Sequence, residues 1–273
     1  MMIALIFLLS TVAIAWVATS QVRLTRRRQR IANKPFPRQW RKILQTKVPY
    51  YRHLPADLQL QLKKHIQIFL DEKAFVGCDG MVINDEIRLT IASQACLLLL
   101  NRPTNYYPKL RKILVYPSPF IVSNQMVAQG GVVSEQQRVL AGESWETGTV
   151  ILSWQTTQKD TANPCDGSNV VLHEFAHQLD QETGPANGAP QLDNTEDYQQ
   201  WSQVLANEFE RLQNAAHSHE YSLFSYYGAT NPAEFFAVIT EVFFERPHAL
   251  FTEHRHLYLQ LSHFFKLDPV NWH

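Results

Sequence analysis

The sequence predicts an α+β protein, in which a mostly helical domain with a small mixed sheet follows one N-terminal transmembrane helix. Three observations support this fold class. Residues 2–18 contain no charge and are mostly aliphatic. Between residues 111 and 154, short β-type runs are separated by proline and glycine, whereas the stretches on either side carry apolar residues at helical spacing. The part after residue 47 has no internal repeat, so we expect one hydrophobic core.

The charge-free stretch predicts a transmembrane signal anchor at residues 1–22. At helical rise, residues 2–18 and their uncharged flanks just cross a bilayer core. A buried soluble helix and a cleaved signal peptide are the alternatives, but no basic residue precedes the apolar region, as a signal peptide would require. The positive charges come after it, which places the C-terminal part in the cytoplasm. The three cysteines, an odd number without a C-x-x-C pair, agree with that reducing compartment.

A basic juxtamembrane arm is predicted at residues 23–47. It contains ten lysines and arginines, and no acidic residue occurs before Asp57. The whole chain balances 25 basic against 25 acidic residues, so the domain at residues 48–273 is acidic by ten charges. Anionic lipid attracts such an arm, whereas nucleic acid repels such a domain. We therefore predict contact with the inner membrane through the anchor and the arm, and no direct nucleic-acid partner; a nucleic-acid-binding arm is the alternative.

Two helices are predicted at the start of the domain. The first follows Pro55 and carries apolar residues at helical spacing from Leu58 to Leu70. Asn84 is the expected cap of the second, which is apolar on most sides up to Leu100. Charged residues bound this second apolar stretch at a length far below that of a membrane span, so we expect a central core helix.

The middle of the domain is predicted to form the small sheet. Its strand candidates are Lys112–Tyr116, Phe120–Val122 and Gly148–Trp154. Each is a short run of β-branched and aromatic residues, and turn-forming residues separate them. The helical pattern returns after the third candidate.

An H-E-x-x-H motif then occurs within Val170–Asp180, inside an apolar run that predicts a helix. On a helix, His173 and His177 lie one turn apart on one face and can bind one metal ion. Glu174 can project beside that ion and take a proton from a bound water, as a zinc hydrolase requires. The same spacing also arises by chance in ordinary helices, so the motif needs support from its context. The cap candidates of this helix are Asp166, Gly167 and Ser168, and its N-terminus is expected near Asn169.

A third metal ligand is expected because a catalytic zinc ion usually has three protein ligands and one open position. After a loop at residues 182–190 and an amphipathic helix from about Thr195 to Asn214, the segment N-P-A-E offers Glu234. Asn231 can cap a helix there and proline suits its first position, so Glu234 falls in the first turn. The alternative is a carboxylate that only caps the helix and is favoured by its dipole.

The strand candidate Gly148–Trp154 has a second interpretation because it lies shortly before the metal helix. The free edge of a strand in that position can pair with an extended peptide substrate. Ile151, Leu152 and Ser153 are the candidate substrate contacts on this strand. A strand with a purely structural role is the alternative.

These segments resemble a known family. V-V-L-H-E-F-A-H-Q-L-D, together with N-P-A-E-F-F-A-V-I-T-E-V-F-F, is similar to the Mlc titration factor A family of bacterial zinc-dependent metallopeptidases. Y-G-A-T-N-P-A-E-F-F-A also resembles the third-ligand segment of the catalytic domain of anthrax lethal factor, to which that family is structurally related. The resemblance covers nearly all of residues 50–268. It implies a zincin-like (gluzincin) fold for the domain.

The resemblance also implies roles for single residues. His173, His177 and Glu234 would bind one zinc ion, Glu174 would be the general base, and Tyr227 would be a candidate donor to the oxyanion. The position four after Glu234, where many gluzincins have an acid that supports a ligand, is valine here. Two acids remain that can orient a ligand histidine, namely Asp180 and Glu241.

The function that the resemblance implies is a cytoplasmic peptidase with aminopeptidase-like activity that binds the transcriptional repressor Mlc, a regulator of sugar uptake. The best-known members are soluble, whereas this chain begins with a predicted anchor. We therefore expect a single-pass protein of the bacterial inner membrane whose catalytic domain lies in the cytoplasm and cleaves a peptide or protein. The alternative is a membrane-tethered zinc-binding module that sequesters a regulator with little or no hydrolysis.

Overall fold

In a computed structural model of the protein, the described residues are 19–127, 133–140, 142–145, 148–182 and 184–272. Nearly all of the predicted anchor at residues 1–22 lies outside them, and the anchor stays a prediction. Within the described ranges, every helix is too short or too polar to cross a bilayer.

The described part of the chain is mostly helical. Its α-helices are α1 (Ser20–Ala32), α2 (Arg38–Lys47), α3 (Ala56–Glu72), α4 (Asp85–Leu97), α5 (Trp154–Ala162), α6 (Val170–Asp180), α7 (Thr195–Ser218), α8 (Pro232–Glu245), α9 (Pro247–Glu253) and α10 (Arg255–Phe265). Its strands are β1 (Ala74–Gly77), β2 (Lys112–Tyr116), β3 (Phe120–Val127), β4 (Val133–Leu140), β5 (Gly142–Trp145) and β6 (Thr149–Ser153). The helices predicted after residue 47 are confirmed, and α7 continues one turn beyond its predicted end.

The main sheet has four strands in the order β1-β2-β6-β5. The first three strands run parallel, and β5 is antiparallel to β6. Strands β3 and β4 form a separate antiparallel pair. The sheet is thus small and mixed, and all three predicted strands are present. The sequence did not indicate β1, because its four residues directly follow α3 and are too few for a periodic pattern.

The free edge predicted for the strand at residues 148–154 is wrong. Strand β6 lies inside the sheet, where Leu152 is aligned with Val115 of β2 on one side and with Gly142 of β5 on the other. The backbone of Ile151, Leu152 and Ser153 is therefore engaged within the sheet and is not available to a substrate. The physical reason is that the chain returns after the β3-β4 pair and adds β5 to this side. Among the described strands, β5 forms that edge.

The segment predicted as a basic arm, residues 23–47, is built into the folded domain as α1 and α2. Arg28 of α1 forms a half-buried ion pair with Glu72 at the end of α3, with 2.7 Å between Nε and Oε1. On α2, Trp40 Nε1 donates a hydrogen bond of 2.8 Å to the carboxylate of Asp85, the first residue of α4. These contacts hold both helices on the domain surface.

The core lies between α4, α6 and α8 and extends to the sheet. Helix α4 is buried on nearly all sides, which confirms the predicted central core helix. In α6, Phe175 is fully buried, with its ring centroid 5.7 Å from that of Phe69 and 5.0 Å from that of Tyr107. Large buried rings of this kind dominate the energetics of a core. Helix α6, which contains the H-E-x-x-H motif, is thereby fixed from the side opposite α8.

Candidate metal centre

Helices α6 and α8 bring the three predicted ligands together. One ligand atom each from His173, His177 and Glu234 lies within 4.8 Å of the other two. Glu234 Oε2 is 3.0 Å from His173 Nε2 and 3.4 Å from His177 Nε2. Within the described ranges, no other group of three or more His, Cys, Asp or Glu residues meets this spacing. Helix α8 thus supplies Glu234, the third residue of the predicted ligand group.

Local sequence explains how Glu234 reaches this position. Asn231 adopts an extended backbone before α8, and its side-chain oxygen accepts a 3.0 Å hydrogen bond from the backbone N–H of Glu234. Pro232 occupies the first turn, where its missing N–H costs nothing. The cap sets the start of the helix, and the third residue of the helix then faces the two histidines. The predicted cap and the predicted first-turn position of Glu234 are confirmed.

The cap of α6 differs by one residue from the prediction. The three candidates were residues 166–168, but Asn169 has the extended backbone of a cap, and its Oδ1 accepts a 3.0 Å hydrogen bond from Leu172 N. Asp166 instead stabilises the preceding turn, since its Oδ1 accepts from Ser168 N at 2.9 Å. Four successive cap-forming residues made the choice among them ambiguous from the sequence.

The donor set fits a divalent metal ion of the first transition series. Two imidazole nitrogens and one carboxylate oxygen converge from two helices, which is a common combination for such an ion. The Nδ1 atom of His173 is held by Glu241 at 2.7 Å, which leaves Nε2 for the metal and fixes the ring. The rings of His173 and His177 lie 4.9 Å apart, as one helical turn requires.

Glu241, from α8 and two turns after Glu234, contacts one of the candidate ligands. Its Oε1 contacts His173 Nδ1, and its Oε2 accepts a hydrogen bond from the backbone N–H of Asn169. Asp180, the other candidate, accepts instead from Gly188 N at 2.8 Å and so holds the loop after α6. The geometry therefore favours Glu241 over Asp180.

The preference for Glu241 over Asp180 is tested by measuring metal affinity in two variants. We expect Glu241→Ala to weaken metal binding roughly 10–100-fold, because it frees the imidazole of His173 to rotate. We expect Asp180→Asn to leave the affinity unchanged, because an amide oxygen can still accept from Gly188. Competition with a chelator gives both affinities, and thermal unfolding controls for loss of fold. A larger effect of Asp180→Asn would mean that Asp180 orients a ligand.

The charges of the ligands depend on one another. Burial opposes ionisation of Glu234, but its hydrogen bonds with His173 and His177 outweigh burial and hold the pKa of the carboxyl well below its usual range. Burial also disfavours the charged form of His173, but Glu234 and Glu241 outweigh it and raise the pKa of the imidazole well above its usual range. Glu234 is thus ionised, as a ligand must be. A metal ion would compete with the proton for His173.

Two further acids, which the sequence did not indicate, cap the start of α6. Asp160 Oδ2 accepts a 2.9 Å hydrogen bond from Val170 N. Glu245 accepts from Gly167 N at 3.1 Å and from Asn169 Nδ2 at 2.9 Å. Burial raises the pKa of Asp160 to about 6 and that of Glu245 to about 8. For Glu245, the sequence carried a signal that was not used: α8 repeats acids at helical spacing within an otherwise apolar sequence.

The raised pKa of Glu245 predicts a specific pH dependence of stability. Between its ordinary value of 4.5 and about 8, the folded protein binds more protons at this group than the unfolded chain does. Its contribution to stability therefore falls as the pH rises through that window. We expect Glu245→Gln to flatten this decline, by on the order of 1 kcal/mol for each pKa unit of displacement. Thermal unfolding from pH 5 to 8 measures the effect, and the exposed Glu210→Gln is the matched control. An unchanged slope in Glu245→Gln would contradict the assignment.

Glu174, the candidate base, is buried on the side of α6 that faces the edge strand β5. Only glycine fits opposite it, because a Cβ atom at Gly142 would lie 2.6 Å from Glu174 Oε1 and 2.7 Å from Val170 Cγ2. The backbone of β5 therefore passes directly beside the candidate base. Gly142 could not be identified from the sequence, because a glycine in a region of turns carries no mark of such an approach.

Tyr227 lies beside the candidate ligand His173. It belongs to a short 3-10 turn at Tyr226–Ala229, before α8, and about half of its surface is exposed. The ring centroid of Tyr227 is 5.9 Å from that of His173. A phenol in this position can reach a molecule that approaches the ligands from solvent.

Comparison with known proteins agrees with this geometry. Residues 22–266 match the family described as glucose-regulated metallo-peptidase M90. An uncharacterised protein of Synechocystis sp. is 42% identical over 245 residues, which is 89% of each chain. A protein of Serratia proteamaculans named Mlc titration factor A is 33% identical over 204 residues, 74% of this chain and 77% of that one. Its namesake in Yersinia pestis is 30% identical over 245 residues, 88% and 89% of the two chains. The chain therefore belongs to the M90 family of metallopeptidases, as the resemblance of its two motifs predicted.

Proposed function

We propose that the protein is a zinc-dependent peptidase that hydrolyses peptide bonds with metal-activated water. The observation that carries this proposal is the convergence of His173, His177 and Glu234 beside Glu174. Glu174 lies on α6, the helix that faces the edge strand β5. Zinc is the ion of choice, because a site with two histidines and one carboxylate that leaves one position open is typical of catalytic zinc.

Each residue of the site has a distinct task in this reaction. When bound, the zinc ion would make water acidic enough to deprotonate near neutral pH and would polarise the scissile carbonyl. Glu174 accepts the proton of the attacking water and delivers it to the leaving amine. Tyr227 donates a hydrogen bond to the oxygen of the carbonyl that is attacked. Strand β5 offers its free edge to the backbone of an extended substrate.

The proposal is tested on the purified full chain in detergent or lipid nanodiscs. Elemental analysis is expected to find one zinc ion per chain, and a library of unstructured peptides is expected to contain cleaved members. A chelator should abolish cleavage, and added zinc should restore it. Cleavage that persists after complete removal of metal would overturn the zinc mechanism.

The contribution of Tyr227 is open to a matched pair of substitutions in the same 3-10 turn. We expect Tyr227→Phe to lower the turnover number roughly 10²–10³-fold with unchanged zinc content, since one donor to the oxyanion is lost. Tyr226→Phe should have no such effect, because the hydroxyl of Tyr226 bonds to the backbone oxygen of Glu220 instead. Full activity of Tyr227→Phe would remove Tyr227 from the site.

Within this activity, we propose aminopeptidase specificity, which the family resemblance implies. Pairs of peptides with a free or an acetylated N-terminus test it directly. An aminopeptidase cleaves only the free form, at the first peptide bond, whereas an endopeptidase cleaves both forms at the same internal bond.

A second candidate function comes from the names of the relatives. Proteins that are 30–33% identical are named Mlc titration factor A, which favours binding of an Mlc-like transcriptional repressor. In this alternative, the chain is a membrane-tethered zinc-binding module that sequesters the repressor. One bound zinc ion without cleavage of any library peptide, together with a stable complex with a purified Mlc-like repressor, would favour it over the peptidase.

A further inference from the structure

The surface of α1 and α2 carries a group of cations that form no ion pair with any acid in the described ranges. Of the ten basic residues at positions 23–47, some are used within the domain, since Arg27 pairs with Asp71 and Arg28 pairs with Glu72. Six others are exposed and form no ion pair within the described part of the chain. Five of them, Arg26, Arg30, Lys34, Arg38 and Lys42, we call the basic platform, and the sixth is Arg41.

The helical geometry explains why the platform faces outward. In α1, the buried side is formed by Ile31 and the half-buried Arg28, and Arg26 and Arg30 lie one turn apart on the opposite side. In α2, Leu44 is fully buried, and the same rule places Arg38 and Lys42 one turn apart on the outer side. Exposed Lys34 belongs to the connection between the two helices.

The cations are fixed to the domain and are not on a flexible linker. Gln67 of α3 donates a 3.1 Å hydrogen bond to the backbone oxygen of Lys34, which ties the connection down. No acidic residue occurs before Asp57 to offset the charge of these two helices.

We propose that the basic platform docks the domain on anionic lipid headgroups in one fixed orientation. Two observations favour lipid over other polyanions. Helix α1 begins at Ser20, two residues after a charge-free apolar stretch whose sequence predicts a membrane span. The part after residue 47 has 15 basic and 25 acidic residues, so an anionic bilayer attracts the platform and repels the rest of the domain. This proposal does not depend on the peptidase activity.

Because α1 and α2 are packed on the domain, docking of the platform would also fix the orientation of the domain. A flexible tether would let the domain tumble below the membrane, whereas helices packed on the domain transmit the position of the lipid surface to it. The active site would then stay at a fixed angle to the bilayer. Substrates would be polypeptides that reach it alongside the membrane.

The test uses the full chain in nanodiscs, so that any anchor is inserted in every sample and only docking is compared. Hydrogen exchange is measured in discs of phosphatidylcholine alone and in discs that also contain phosphatidylglycerol. We expect slower exchange at residues 22–47 in the anionic discs only, with reversal in high salt. Equal exchange in both kinds of disc would overturn the proposal.

Two variants with equal net charge separate the platform from general electrostatics. The first replaces the five platform residues by glutamine, and we expect it to lose the protection, since each cation near the surface contributes roughly fivefold to docking. The second replaces five exposed cations elsewhere, Arg111, Lys112, Lys159, Arg211 and Arg255. It should keep the protection. Loss of protection in both variants would show that net charge alone is responsible. Platform-dependent binding of a DNA duplex without protection by lipid would assign the surface to nucleic acid. Either result overturns the proposal.

Discussion

The Glu174→Gln variant is expected to keep its zinc ion and to lose roughly 10²–10⁴-fold in turnover. Glutamine has nearly the shape of glutamate, so the close approach to Gly142 is preserved, but an amide cannot accept the proton of the attacking water. The measurement combines the metal content with the turnover number on a peptide that the parent protein cleaves.

Two results would separate the explanations for a loss of activity in this variant. If zinc content falls together with activity, Glu174 supports metal binding and its role as a base is not established. If Glu174→Gln cleaves the peptide as fast as the parent, the base is another group. Binding of an Mlc-like repressor should be unaffected by the substitution, so the same variant distinguishes catalysis from sequestration.

Glu234→Ala is expected to lose the metal ion itself. The substitution removes one of three ligands, so the loss of affinity should exceed the roughly 10–100-fold expected when a residue that only supports a ligand is removed. It also leaves His173 and His177 without the carboxylate that they contact at 3.0 and 3.4 Å. Chelator competition measures the affinity, and activity should fall at all but high zinc concentrations.

The matched control for this second prediction is Glu253→Ala, which removes an exposed carboxylate close to the end of α9. It should leave zinc affinity and activity unchanged. If Glu234→Ala retains zinc as tightly as this control, Glu234 acts only at the start of its helix, and the third ligand is a different residue.

The convergence of the three candidate ligands could be predicted from the sequence because short-range rules determine it. The spacing of His173 and His177 follows from the helical period, and N-P-A-E specifies both the start of α8 and the place of Glu234 in its first turn. The pairing of Glu241 with His173 was left open against Asp180. It depends on how α8 crosses α6, which the spacing within one helix does not determine.

The prediction that the strand at residues 148–154 has a free edge was wrong for a related reason. Whether β6 is central or at an edge depends on where the chain returns after β4, and the four residues of β5 have no periodic pattern that reveals it. The role of Gly142 is likewise a matter of distance between two elements far apart in sequence. The packing of α1 and α2 was missed because ten cations without an acid suggested a solvated arm, whereas their acidic partners Asp71 and Glu72 come from α3.

Helix α8 contributes Glu234 to the candidate metal ligands, Glu241 to the contact with His173, and Glu245 to the start of α6. One face of a single helix would thus join metal coordination to the folding of its neighbour. Occupancy of the site and association of the two helices would then be thermodynamically linked, so that a bound ion would stabilise the folded chain by mass action. Cellular metal supply would then set the lifetime of the protein as well as its chemistry.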